Sequence, residues 1–267
     1  YLKVLELTQD GITLNPIEHE TILEVQLASP LPPGDSTVLA MHFVGQVPAM
    51  VRRAGRDNLE GIAYSMSQWY PKLCAYDQDG WHADPYIARE FYGDFGSFDV
   101  KITLDKKYIV AASGTLVNAN MIGYGYEDEG LIVPTQNRGT LTWHFHASDV
   151  HDFMWAADPD YTHTRHSTDN GVELHCFYQK NPSNAAAWEQ LPTVIDHALD
   201  FIIAHYGEYP YASFAFIQGG DLGMEYPMST LITGNRSFES LVGVAVHELM
   251  HNWYYGVLGT NESLYAW

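Results

Sequence analysis

An α+β chain in two parts is what this sequence predicts: an antiparallel β-sandwich-like region over residues 1–180 and an α+β region over 181–267. Three observations predict it. Short runs of alternating apolar residues, separated by Gly, Pro and Asp turns, fill the first part. Near residue 181 an apolar period of 3.6 residues begins. A second apolar run free of proline, Val244 to Tyr255, follows close to the C-terminal end.

In chain order, Thr21–Leu27 carries alternating apolar residues, and the Pro30–Asp35 stretch supplies turn chemistry after it. Thr37–Phe43 reads as the next strand. Asp99–Leu104 alternates, Asp105-Lys-Lys turns the chain, and Tyr108–Ala112 and Thr140–His146 read as further strands. Short strands at this spacing predict open, curved sheets. The Asn181-Pro-Ser-Asn184 stretch is a helix-start signal. Leu191, Val194, Ile195, Ala198, Phe201, Ile202 and His205 then fit one helix of about twenty residues, which Gly207 ends. Tyr211–Gln218 reads as a strand, broken by Gly219-Gly220-Asp221. The final helix is expected to start at Asn235 or Ser237, with Glu239 in its first turn and Gly259 as its cap.

With 46% hydrophobic and 13% aromatic residues, the 267-residue chain can bury a real core in one large or two ordinary domains. Its 33 acidic and 13 basic side chains give a net charge of −20, which argues against nucleic acid as a partner. No stretch is long and apolar enough for a transmembrane helix. Cys74 and Cys176 form no C-x-x-C pair; one disulfide and two buried thiols both remain open. The acidic, aromatic-rich make-up leads us to expect a cell-envelope or secreted protein over a cytoplasmic one.

The chemistry concentrates in His247-Glu248-Leu-Met-His251. Residues four apart share a helix face, so His247 and His251 can present two imidazoles to one ion. Neutral imidazole is a preferred zinc ligand, and Glu248 can reach a metal-bound water as general base. The alternative is a buried helix whose two histidines are satisfied by core hydrogen bonds.

Further motifs accompany this one. Gly223-Met224-Glu225-Tyr226-Pro227 precedes the helix, and His251-Asn-Trp253-Tyr-Tyr-Gly256 continues it. Tyr70-Pro-Lys-Leu-Cys74-Ala-Tyr-Asp77 and His151-Asp152-Phe153-Met-Trp155 lie upstream. In this order the motifs resemble the zinc aminopeptidases of the aminopeptidase N and leukotriene hydrolase (gluzincin) family, from about residue 64 onward. The resemblance implies an N-terminal saddle-like β-domain (residues 1–180) and the first part of a thermolysin-like zinc peptidase domain (181–267). Two departures stand out. Tyr226 replaces the family's Asn, as in a bacterial branch, and Leu222 replaces its first Gly. The family's third ligand is a Glu roughly eighteen residues past the second His, which falls beyond Trp267. Glu262 sits too early for it, so the chain is expected to stop short of its metal site and of the family's catalytic Tyr.

The resemblance implies one Zn²⁺ per chain in the full enzyme, held by His247 and His251, with Glu248 catalytic. Glu225, with Gly223 and Met224, would bind substrate; a carboxylate there captures the free N-terminal ammonium of a peptide. The expected activity of the full-length protein is removal of N-terminal residues from peptides, and the chain alone is expected to be inactive. Two alternatives use the same residues: a leukotriene-type epoxide hydrolase and a non-catalytic scaffold or binding module. His144 and His146 share a strand face and read as packed surface, while His163 and His166 read as a solvated loop. Trp253 reads as packing behind the helix. Tyr70, Asp77, Asp152 and Trp155 read as architectural.

Overall fold

The computed structural model describes residues 2–49, 51–85, 92–134, 139–220, 222–262 and 264. Contacts divide the chain into two compact units, neither of them continuous in sequence. One comprises Tyr1–Val47, Trp69–Asp94 and Asn261–Trp267; the other comprises Pro48–Gln68 and Phe95–Thr260. No described helix is long and apolar enough to cross a membrane.

The named elements among the described residues of the first unit are all β-strands. Leu2–Gln9 lies between Ile12–Thr13 and Leu39–Gly45 in an antiparallel sheet. The turn between the first two strands is Asp10-Gly11, both with positive φ (48° and 85°), the chemistry a tight hairpin needs. Asp10 also accepts from Thr37 Oγ1 and Val38 N, and these bonds lower its pKa. Ile17–His19 with Ile22–Glu24, and Tyr76–Asp77 with Gly80–Trp81, form two further hairpins. Asp77 accepts from Tyr92 Oη at 2.6 Å and lies 2.8 Å from His82 Nε2; these partners hold its pKa at about 2.

Among its described residues the second unit holds three sheets, with helices beside them. Gly96–Asp105, Thr140–Val150 and Thr115–Leu116 form one, and Ile109–Ala112, Trp155–Asp158, Tyr64–Met66 and Ala54–Arg56 form another. Both are antiparallel, as the alternating sequence predicts. The third sheet has five strands in the order Tyr161–Ser167, Glu173–Gln179, Ser213–Gln218, Ser229–Ile232, Gly223–Tyr226. Its central pairings are parallel and its outer ones antiparallel. Ser213–Gln218 is buried at every position, which explains its unbroken apolar run S-F-A-F-I-Q. Within this sheet Tyr161 Oη donates to Gln218 O, and Ser113 Oγ, just past Ile109–Ala112 of the second sheet, meets Ser229 Oγ of the third at 3.1 Å.

Two helices pack with this sheet. Ala185–Tyr206 buries Trp188, Leu191, Ile195, Leu199 and Ile202, a 3-4-4-3 spacing that keeps one face inward. Phe201 and His205, expected on that face, lie outside it and stack on each other 4.1 Å apart. Pro192 sits inside the helix, where it removes one hydrogen bond, and Gly207 ends the helix at φ 101°. Phe238–His251 has Ser237 as N-cap, accepting from Ser240 N, and Glu239 in its first turn. It passes into a wider turn over Asn252–Val257, and Gly259 N then bonds Tyr255 O. Leu241, Ala245 and Leu249 of this helix join Leu174, Phe214, Phe216 and Trp188 in one core.

These contacts do not divide the chain at residue 181. Tyr161–Ser167 and Glu173–Gln179 lie before that position but belong to the sheet that carries the later strands. The composition change marks where helices begin, whereas strand pairing reaches back across it. His163 and His166 are likewise not in a loop but on Tyr161–Ser167. His166 Nε2 pairs with Asp196 at 2.9 Å, and His163 stacks on Phe177 at 4.1 Å. Cys74 and Cys176 are both free thiols, and burial pushes Cys176 up to about 12.

Candidate metal centre

The helix Phe238–His251 turns its Leu241, Ala245, Leu249 stripe into the core and leaves His247 and His251 on an adjoining face. Their rings stand nearly perpendicular (86°) with Nε2 atoms 3.3 Å apart. Ligands of a tetrahedral zinc, at about 2.0–2.1 Å from the ion, lie about 3.3–3.4 Å from one another. A direct N–H···N bond prefers a shorter separation. The pair therefore has the spacing of two zinc ligands. Among the described residues, His247, Glu248 and His251 are the one group of three whose metal-binding atoms all lie within 4.8 Å of each other. Their exposure grades from open at His247 through half-buried at His251 to buried at Glu248.

Glu248 is an acid placed where water does not reach it. It is 5% exposed, and its Oε2 is buried without a hydrogen-bond partner. Burial, then the charge of Glu225 and a hydrogen bond with Glu225, push it up to about 8, against the opposing influence of Arg53 and Arg236. An orphaned buried carboxylate oxygen beside two convergent imidazoles is the donor arrangement that a dication and its water would satisfy. The residues present fit zinc. His251 is held below the usual histidine range by burial and by His247, with Glu225 pulling the other way.

Glu225 comes from the strand Gly223–Tyr226, which among the described residues is an edge strand paired with Ser229–Ile232. Alternation puts Gly223 and Glu225 on one strand face and Met224 and Tyr226 on the other. The first pair faces the helix: Glu225 Oε1 is 3.7 Å from His251 Nδ1, and Gly223 lies against Val244 and Glu248. A Cβ at Gly223 would fall 2.7 Å from Val244 Cγ2 and crowd Glu248 Oε1. Here Gly223 makes room for the Glu248 carboxylate, a role no motif spacing discloses. Met224 is buried, and its carbonyl accepts from Thr230 Oγ1. Thr233 N bonds Leu222 O, so the ladder's alternation leaves the backbone N–H and C=O of Gly223 and Glu225 pointing out of the sheet's open edge.

Four expected residues, Glu225, His247, Glu248 and His251, thus meet at one place, with Gly223 beneath them. Trp253 packs behind the helix, its Nε1 donating to Gly207 O at 2.9 Å and its ring 5.4 Å from Tyr209. His144 and His146 stand apart from this site, both turned onto Asp99 Oδ1 at 3.0 and 3.3 Å. Sequence reasoning missed Arg236, Asn252 and Glu60. Glu60 accepts from Gly234 N, Asn235 N and Gln218 Nε2, fixing the loop that leads into the helix. A lone Arg, Asn or Glu carries no spacing signal, so nothing in the sequence singled them out.

No protein-family model matches the chain, and neither does any curated protein sequence. Solved structures do match. A two-domain M1 zinc metallopeptidase mutant bound to L-arginine superposes with a TM-score of 0.63 at 19% identity, over 95% of this chain and 54% of that one. The M1 zinc metallopeptidase of Deinococcus radiodurans gives 0.63 at 18% identity, with the same coverage. Aminopeptidase A of Legionella pneumophila, in complex with aspartic acid, gives 0.58 at 12% identity, over 94% of this chain and 29% of that one. The likeness is one of fold, that of a mostly β, multi-sheet chain with few helices. The chain spans about half the length of the first of these structures.

Proposed function

We propose that this chain is part of a zinc-dependent aminopeptidase of the M1 type, which hydrolyses the N-terminal bond of peptides. The observation that carries the reading is the meeting of Glu225 with His251 and Glu248 on two adjoining elements, beside a His247–His251 pair at zinc-ligand spacing. The fold shared with M1 zinc metallopeptidases supports it.

His247 and His251 would hold the ion. Zinc, when bound, supplies a Lewis acid and a coordinated water of lowered pKa. Glu248 takes the water's proton on its carboxylate and passes it to the departing amine. Its burial keeps bulk water from competing for that proton, and a neighbouring dication favours its ionised form. Glu225 binds the ammonium of a free N-terminus and so fixes the scissile bond one residue away. The outward N–H and C=O groups of Gly223 and Glu225 align an extended peptide along the open strand edge. Met224, buried behind them, supports the strand.

The test uses the full-length protein with aminoacyl chromogenic substrates, their N-acetylated counterparts, and a Glu225→Gln variant. Zinc-dependent hydrolysis that falls at least about a hundredfold on acetylation and on Glu225→Gln supports the reading. Zinc binding without peptide hydrolysis would turn attention to another substrate of the same site, such as an epoxide.

A further inference from the structure

His247 and His251 ride on one helix, so their mutual spacing is set by helix geometry alone. Glu225 has no such guarantee, because it arrives on a different element. We infer that Arg236 and Asn252 are positioning residues, two pins that set the Glu225 strand against the zinc helix; this rests on the reading of Glu225 as the ammonium ligand.

Arg236, just ahead of the N-cap, is the first pin. Its Nη2 donates to Leu222 O, its Nε to Thr233 O and its Nη1 to Ser240 Oγ, each at 3.0 Å. One guanidinium thus ties together the start of the Glu225 strand, the end of its neighbour and the first turn of the helix. Asn252, just past His251 and 3% exposed, is the second. Its Oδ1 accepts from Met228 N at 3.2 Å, in the turn that follows the strand.

One pin joins Leu222 to Ser240 and the other joins Met228 to Asn252. The Glu225 strand and the helix are therefore fastened at both ends of the strand, before Gly223 and in the turn after Tyr226. Between the pins, Gly223 meets Val244 and Glu248, and Glu225 meets His251. Each fastened residue, one on either side of the strand, also carries backbone strain. Leu222 (φ 72°) and Met228 (φ 60°) are non-glycine residues in the left-handed region, a conformation that persists only where its surroundings hold it. The strain sits at the two ends that the side chains grip.

Arg236→Met, Arg236→Lys and Asn252→Ala in the full-length protein test this by amide hydrogen exchange, zinc stoichiometry and kinetics. Exchange of the ladder-bonded amides of Met224 and Tyr226 and of the Met228 amide should rise about tenfold or more in Arg236→Met and Asn252→Ala, with Arg236→Lys between them and wild type. Amides 244–251 and the zinc stoichiometry should not change, since both His ligands belong to the helix. For aminoacyl substrates kcat/KM should fall about tenfold or more. Placed in a Glu225→Gln background, the same substitutions should cost less than about threefold, because their effect acts through Glu225. Equal losses in both backgrounds, or unchanged exchange at Met224, Tyr226 and Met228, overturn the proposal. A wild type that binds zinc and cleaves no aminoacyl substrate sinks the functional reading instead, and the exchange result then decides the pinning by itself. If Arg236→Met fails to fold, Arg236→Lys carries the comparison.

Discussion

Lowering the pH from 7.5 to 5.0 should destabilise the unit that carries the candidate metal centre, through His163 and His175. His163 Nδ1 faces Tyr124 O at 2.9 Å, and a carbonyl only accepts, so that nitrogen carries the proton. His163 Nε2 must then accept from His175 Nδ1, also at 2.9 Å. The rings stack with Phe177 and beside Tyr126. Burial, helped by the other ring and Arg165, lowers His163 to about 3; burial lowers His175 to about 4, with Arg165 in the same direction and Glu173 opposing. Both folded values lie below the unfolded value of about 6.5. The unfolded chain therefore binds more protons between these limits, and stability falls as pH falls through that window. At pH 5 both folded rings are still neutral, so the loss is set by the unfolded value alone: about 2 kcal/mol per ring and about 4 kcal/mol for the pair. Urea unfolding at several pH values, compared with a His163→Phe/His175→Phe double variant, measures it. The variant should be the less pH-sensitive of the two by about 4 kcal/mol between pH 7.5 and 5. Parallel curves for the two proteins would refute the neutral, hydrogen-bonded pair.

Other expectations follow from single contacts. Trp188 is fully buried with its Nε1 on Gly234 O at 3.0 Å, so Trp188→Phe should cost about 2–3 kcal/mol in urea unfolding; a loss under about 0.5 kcal/mol would contradict that bond. Gly114 has φ 82°, and a Cβ there would lie 2.8 Å from the His146 carbonyl carbon, so Gly114→Ala should destabilise by about 2 kcal/mol or more. Cys176, buried and with its thiol pushed up, should resist iodoacetamide at pH 8 until the protein is denatured; rapid labelling of native protein would place it at the surface. A chelator should lower the melting temperature of zinc-loaded full-length protein and leave that of a His251→Ala variant unchanged.

Local rules carried a good part of this structure. The helix face of His247 and His251 follows from a spacing of four, and the helix start at Ser237 from capping chemistry. The buried strand Ser213–Gln218 was visible as an apolar run. What escaped depends on contacts between distant positions. His163 reads as a polar-loop residue because its neighbours Thr162, Thr164 and Arg165 are polar; only pairing with Glu173–Gln179 shows that its face is covered. That strand's parallel pairing with Ser213–Gln218, across the whole helix Ala185–Tyr206, draws residues before 181 into the site's own sheet. Gly223 looked like a glycine for substrate approach, and its crowding by Glu248 shows only once strand and helix are side by side. Arg236 and Asn252 are common residues whose meaning lies in which backbone groups they reach.

The most direct test of the central claim is metal analysis of the full-length protein after chelation and reloading with zinc. The account predicts one zinc per chain, lost in His247→Ala and His251→Ala and retained in Glu225→Gln and Glu248→Gln. A protein that takes up no zinc, or that holds it equally well without either histidine, would contradict it.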